Sequence, residues 1–236
     1  MFMNFEEIDL RNKALYLDKF EDLSKYKITI IGLGGVGSII PLSLVRVGVK
    51  KLILIDKDKV ELSNLNRQIA YDINDVNKLK VDALKEKLVK LREENSLDIS
   101  IYPSKIDDDF NLNILNDSDY IIDAIDDIKA KIKLIKYALT NNKKIISSLG
   151  MGKRIDTSKI EITSLNKTHD DPLAKKLRYL LKKEGINELN KIMCAFSFEV
   201  IDKSKFIDNN VIASSVFVPN VAGLSIANYV INDLLK

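Results

Sequence analysis

The sequence predicts an α/β fold built on a doubly wound, mainly parallel sheet, with antiparallel strands added at its C-terminal side. Three observations carry this. Short apolar, β-branched runs alternate with longer stretches of helical period. The run Ile28-Thr29-Ile30-Ile31 ends in Gly32-Leu33-Gly34-Gly35-Val36-Gly37 and an amphipathic stretch follows, the strand–turn–helix order of a G-x-G-x-x-G fingerprint. Two later runs end in acidic residues, at Asp56 and at Asp123 to Asp127, where carboxylates of a parallel sheet face the ligand crevice.

Each glycine has a distinct task in such a turn. Gly32 allows the tight bend, Gly34 and Gly35 let backbone approach a phosphate, and Gly37 lets helix meet sheet. The helix start then offers free N–H groups to an anion. These features make the fold Rossmann-like.

With 236 residues, 46% hydrophobic and 30% charged, the chain has the length and composition of a globular protein with a sizeable core. A single domain over 1–236 is expected, with a nucleotide-binding part at 1–150 and a substrate-side extension and C-terminal helix at 151–236. A net charge of +3 means that any nucleic-acid partner must be held by a local patch. One cysteine excludes an internal disulfide and a four-thiolate zinc site. No apolar run approaches the roughly 20 residues that span a bilayer. The acidic N-terminus lacks signal-peptide shape. No membrane association and a cytoplasmic location are expected.

Residues 5–24 read as one or two short amphipathic helices with Leu10, Ala14, Leu17 and Phe20 as the inner stripe. The first strand is followed by a helix over 36–47, with Gly48 as its stop and Pro41 tolerated in its first turns. Leu52 to Ile55 is the second strand. Asp56 stands about 20 residues past the glycines, where a ribose hydroxyl is held. Asp58 follows, then Asn64, Arg67 and Gln68 in a loop within reach of phosphates on the glycine turn. A helix from Lys78 to about Glu94 buries Val81, Leu84, Leu88 and Leu91. Lys80 near its start opposes the helix dipole, which favours anions there, and a bound polyphosphate would relieve the mismatch.

Asp98 to Tyr102 is the third strand, and Tyr120 begins the fourth. Asp126 is suited to a magnesium ion, which takes one or two carboxylates plus phosphate oxygens, and Asp127 to capping a helix over 128–139. Lys144 to Ser148 is the fifth strand. Ile160 to Thr163 alternates like an edge or antiparallel strand. Asp171 and Pro172 start a helix with Leu173, Leu177, Leu180 and Leu181 inside. Its cations Lys175, Arg178 and Lys182 share one side and form a candidate RNA surface. His169 is a surface residue before that helix. Cys194, in a strand-like stretch, is either a buried small apolar residue or a nucleophile. Val221 to Leu235 forms a C-terminal helix with more apolar positions than one face needs, which points to a homodimer.

The combination Gly32-x-Gly34-Gly35-x-Gly37, Asp56, Asn64-x-x-Arg67-Gln68, Lys80 and Asp123-Ala-Ile-Asp126 resembles the adenylating domain of the ubiquitin-activating-enzyme superfamily. The stretches Gly152 to Thr163, Lys167 to Arg178 and Cys194-x-Phe-Ser-x-Glu199 are similar to its tRNA threonylcarbamoyladenosine dehydratase branch. The resemblance implies ATP and Mg2+ as cofactors, tRNA as substrate, a homodimer and a sulfur-transfer protein as a further partner. It implies that Arg67, Lys80 and Asp126 are catalytic. Gly32, Gly34, Gly35, Gly37, Asp56, Asp58, Asn64 and Gln68 would bind the nucleotide with them. The family's N-terminal arginine, which reaches a neighbouring subunit's nucleotide, has Arg11 or Lys13 as its nearest match. The chemistry implied is activation of the threonine carboxylate as an acyl-adenylate, followed by closure of the carbamoyl group and loss of AMP. The alternative within the superfamily is adenylation of the C-terminus of a ubiquitin-like sulfur carrier. A nicotinamide-binding oxidoreductase would leave Arg67, Lys80 and Asp126 without work.

Overall fold

The structure, a computed structural model, describes residues 5–93, 95–202 and 212–236. Seven strands form one sheet: β1 (Lys27–Ile31), β2 (Lys51–Ile55), β3 (Asp98–Tyr102), β4 (Tyr120–Asp123), β5 (Lys144–Ser148), β6 (Ile160–Ser164) and β7 (Met193–Ser197). Their order is β3-β2-β1-β4-β5-β7-β6, parallel except for β6, which runs antiparallel to β7 at the edge. The helices are α1 (Leu10–Tyr16), α2 (Ile39–Val47), α3 (Lys80–Val89), α4 (Ile128–Thr140), α5 (Pro172–Lys183) and α6 (Phe217–Leu234). Chain order reverses between β1 and β4, so the crevice opens above their carboxyl ends.

The central strands are buried on both faces, which is why they read as unbroken apolar runs. Ile28 and Ile30 of β1 and Leu52 and Leu54 of β2 point to a core closed by α2, α3 and α6. Ile31, Ile53, Ile55 and Ile121 point to the opposite core, closed by α4 and α5. Among the described residues no helix is long and apolar enough to cross a membrane.

Several boundaries differ from the sequence expectation. The helix after the glycines begins at Ile39, because residues 34–38 form the phosphate-type turn; Gly48 does end it, at φ 117°. The helix α3 stops at Val89, and Glu94, its expected end, lies outside the described residues. Arg92 leaves the helix to donate from its guanidinium to the Val45 and Arg46 carbonyls at the end of α2 and to Asp9. The N-terminal stripe is not buried as expected. Leu10 and Leu17 are 60% and 69% exposed, and Phe20 and Leu23 carry the anchoring.

The C-terminal helix starts at Phe217, four residues before Val221. Part of its apolar excess is accounted for within the chain, while Phe217 and Leu224 stay exposed. Ile226, Val230 and Ile231 are buried within the chain, because α6 is covered by the sheet on one side and α2 on another. The inner face of α5 is Ala174, Leu177 and Leu181, whereas Leu173 turns to the crevice.

Candidate active site

A cavity of about 800 Å³ lies above the carboxyl ends of β1, β2 and β4. It is lined by the glycine turn, by Asp56 and Asp58 after β2, by Asn64, Arg67, Gln68 and Lys80, and by Asp126 after β4. Its far wall is the Gly150–Lys153 loop after β5. The structure therefore brings every candidate nucleotide residue except Gly37 to one cavity.

The local chemistry explains the convergence. Gly32 has φ 88°, and a Cβ there would stand 2.7 Å from the Ala124 carbonyl oxygen. At Gly37 a Cβ would overlap the Gly32 carbonyl oxygen at 1.8 Å. Both positions demand glycine on fold grounds, and Gly37 works behind the turn without facing the cavity. Asp56 braces the turn: one carboxylate oxygen accepts the Leu33 N–H at 2.6 Å, the other the Asp58 N–H at 2.7 Å. Tyr71, buried, donates from its hydroxyl to the Leu33 carbonyl at 3.0 Å. Burial, with Asp56 and Asp75 nearby, holds that phenol well above its usual range, so it stays a donor.

Residues 61–68 wind as a short turn closed by a capping box between Glu61 and Asn64. The Arg67 and Gln68 N–H groups both donate to the Asn64 carbonyl, which sets these two side chains beside the glycines. Arg67 donates to the Ser63 carbonyl and to Asn66 Oδ1. Asn220 of α6 donates to the Arg67 carbonyl at 2.7 Å, so the C-terminal helix fixes the loop from behind. Among the described residues Gln68 Oε1 is buried without a hydrogen-bond partner, and the same residue's Nε2 lies 3.9 Å from where a Cβ on Gly34 would stand. A buried polar atom left unpaired costs about 1–3 kcal/mol; this oxygen accepts, so a ribose hydroxyl or base amino group of a nucleotide would satisfy it, whereas a phosphate would not.

Lys80 is 5% exposed, yet it lines the cavity. Backbone pairing between Asp58 and Lys80 brings its ammonium 3.5 Å from Asp58 Oδ2. Partial burial works to raise the Asp58 carboxyl, but Lys57 and Lys80 outweigh it and hold it below the usual carboxylate range. Asp126 is exposed at the cavity. Asp127 caps α4 as expected, accepting from the Lys129 and Ala130 N–H groups. Among the described residues no cluster of three or more His, Cys, Asp or Glu side chains stands ready for a metal. A magnesium ion carried by nucleotide phosphates takes only one or two protein carboxylates, and Asp126 would offer one.

Sequence reasoning missed three supports. Lys131 and Asp123 form a fully buried ion pair at 3.0 Å; Lys131 also donates to the Ser148 carbonyl, and Ser147 Oγ donates to Asp123. No spacing marks it, since a lysine on a helix reads as surface. Asp171 does more than cap α5, because its second oxygen accepts the Gly150 N–H at 3.0 Å. Arg154, buried near Asp171, donates to the Glu199 carbonyl, and the Glu199 carboxylate accepts the Ile155 and Asp156 N–H groups. Burial pushes the Arg154 guanidinium below its usual range against the pull of those carboxylates.

The candidate RNA surface on α5 needs a correction. Lys175 and Lys182 are exposed, but Arg178 is half-buried and donates to the Leu165 and Thr168 carbonyls and to Thr168 Oγ1. Its long side chain lies back on the loop before α5 and does not stand with the lysines. Cys194 is fully buried, and burial pushes its thiol far above the usual range. That environment suits a packing residue and opposes a thiolate nucleophile.

Known proteins resemble this chain in sequence and fold. A profile of the ThiF family matches residues 9–228. A Bacillus subtilis protein named tRNA threonylcarbamoyladenosine dehydratase is 32% identical over 235 residues, covering 94% of this chain and 92% of its own. The crystal structure of the Escherichia coli tRNA N6-threonylcarbamoyladenosine dehydratase in complex with AMP superposes with a TM-score of 0.86 at 28% identity, covering 95% of this chain and 93% of that one. The same enzyme in complex with ATP gives 0.87, covering 98% and 94%.

Proposed function

The chain belongs to the ThiF family, and from that premise we propose that it is an ATP-dependent dehydratase of threonylcarbamoyladenosine in tRNA. The observation that carries this is the cavity itself. A glycine turn, a buried lysine and an arginine converge where a triphosphate would lie. The relatives and solved structures most similar over nearly their whole length carry this enzyme's name, and two of those structures hold AMP or ATP.

In this reading a threonine carboxylate oxygen bonds to the α-phosphorus of ATP, and the bond to pyrophosphate breaks. The carbamoyl group then closes onto the activated carbonyl and gives up a proton to solvent, and the carboxylate oxygen leaves on AMP. The water lost from the nucleoside is thereby carried away in the cleavage of ATP. Ring closure is intramolecular, so orientation supplies much of the rate without a protein nucleophile. That agrees with the inaccessible Cys194. The protein's task is charge: carboxylate and triphosphate repel, and Arg67 and Lys80 offset the repulsion. Asp56 would hold ribose with lone pairs not used by the turn. Magnesium held by Asp126 and the phosphates would neutralise developing charge on the phosphate oxygens.

Adenylation of a sulfur-carrier C-terminus is the less favoured reading, since relatives matched over nearly their whole length are named dehydratases. The whole chain would act as one adenylating unit in the cytoplasm, with 1–150 for the nucleotide and 151–236 for the substrate side. A homodimer would cover the exposed Leu10, Leu15 and Leu17. Among the described residues Lys13 pairs with Glu21, and Arg11 is the candidate to reach a partner's nucleotide. Lys175 and Lys182 would meet tRNA phosphates, and a sulfur-transfer protein would be a separate partner. The test is mass spectrometry of nucleosides from tRNA incubated with the protein and ATP. Loss of one water from threonylcarbamoyladenosine, dependent on ATP, is expected. Unchanged tRNA alongside adenylation of a sulfur carrier would overturn the proposal.

A further inference from the structure

We propose that His169, backed by Phe196 and Phe198, is a stacking platform for an unpaired base of the RNA loop that carries the substrate nucleoside. The inference rests on the tRNA reading above and names the contact that seats the RNA. His169 is the chain's single histidine, and its side chain is 56% exposed. A surface ring in a loop is ordinarily free to rotate, and holding it costs side-chain entropy. Here it is held on three sides. It packs near-perpendicular to the Phe196 ring with centroids 5.4 Å apart, it is tilted against Phe198 at 5.7 Å, and Nδ1 lies 2.9 Å from Asp170 Oδ2. The result is a preorganised aromatic surface open to solvent.

The surroundings match RNA. Lys159 sits 4.9 Å from the Phe198 ring centroid, and Lys175 is exposed on the first turns of α5. Single-stranded RNA is recognised by this pairing of aromatic faces for bases with cations for phosphates. The platform is also tied to the cavity. Asp170 has φ 50°, a left-handed bend that aspartate tolerates better than most residues. It sends His169 outward while Asp171 turns in to hold the Gly150 N–H of the cavity wall. His169 thus stands on the outer side of the loop whose Asp171 braces the cavity wall at Gly150, and it is there that the base next to the substrate nucleoside would lie.

The test compares the parent with His169→Leu, which keeps apolar cover over the phenylalanines, and His169→Tyr, which restores a π face. The probe is an anticodon stem–loop RNA carrying threonylcarbamoyladenosine, with 2-aminopurine at the adjacent loop position. Parent and His169→Tyr should bind with quenched fluorescence. His169→Leu should bind roughly 5- to 150-fold more weakly, the range for losing one stacked base, without the quench. KM for tRNA should rise by the same factor, with kcat and ATP affinity unchanged. Equal affinity and quench in all three proteins would overturn the platform while leaving the dehydratase reading intact. A parent that neither binds nor dehydrates the RNA would overturn the tRNA reading and the platform with it.

Discussion

Gly34→Ala and Gly37→Ala separate binding from folding within one turn. Gly34 does not have positive φ, and a Cβ there would meet nothing nearer than Gln68 Nε2 at 3.9 Å. Alanine is therefore compatible with the fold and should stabilise the free protein by about 0.4–1 kcal/mol by narrowing the unfolded ensemble. For a chain of this size that is a rise of about 1–4 °C in melting temperature. The new methyl, however, occupies the space where a phosphate would take the backbone N–H. In the parent, ATP at 100 times its Kd should stabilise by about 2.7 kcal/mol, a shift of about 5–11 °C. In Gly34→Ala that shift should collapse. Gly37→Ala is the opposite case. Its Cβ would lie 1.8 Å from the Gly32 carbonyl oxygen, so strand, turn and α2 cannot keep their places. A loss of more than about 4 kcal/mol, or about 8–16 °C, is expected before any ligand is added. Scanning fluorimetry with and without ATP and magnesium reads both. A full ATP-induced shift in Gly34→Ala would show that no phosphate sits on this turn.

Four further outcomes are expected. Arg67→Ala, Lys80→Ala and Asp126→Ala should each lower turnover by about 10²–10³-fold, the scale for removing one preorganised charge or donor; near-parent turnover in Asp126→Ala would place the metal elsewhere. Lys131→Ala strands the Asp123 carboxylate in a dry site and should cost about 3–5 kcal/mol in urea unfolding, with most of it recovered when Asp123→Leu is combined with Lys131→Met; a loss below about 1 kcal/mol would be incompatible with a desolvated pair. Iodoacetamide should leave folded Cys194 unmodified and label it in urea, and Cys194→Ala should retain turnover, whereas its inactivation with the fold intact would restore the nucleophile. Asp58, held below the usual carboxylate range, contributes stability that is fully present above its unfolded pKa of about 3.9 and is lost as pH falls through the lower folded value; Asp58→Asn should flatten that acid limb of a melting-temperature profile, and an unchanged limb would remove Asp58 as its source.

The α/β class and the convergence of the candidate nucleotide residues on one cavity were legible from the chain because they rest on local chemistry. The strands are continuous apolar runs, since a parallel sheet is covered on both faces. The glycine turn needs small residues at fixed spacing, and Asp56 follows its strand by one residue. Side chains that work at the ends of strands keep their order along the chain, so Arg67, Lys80 and Asp126 could be placed at one crevice before any coordinates. What depended on distant partners was not legible. Leu10 and Leu17 keep helical spacing but find no core to face. The apolar excess of α6 suggested a second subunit, but Ile226, Val230 and Ile231 find their cover within the chain, and only Phe217 and Leu224 are left exposed among its large apolar residues. Arg178 has the spacing of an outward cation, and only the fold brings the Leu165 and Thr168 carbonyls within its reach. The Lys131–Asp123 pair and the Asp171 brace on Gly150 exist because tertiary packing removes water from those charges. A charge in sequence carries no sign of whether it will stay solvated, and in this protein that difference separates surface lysines from the supports of the site.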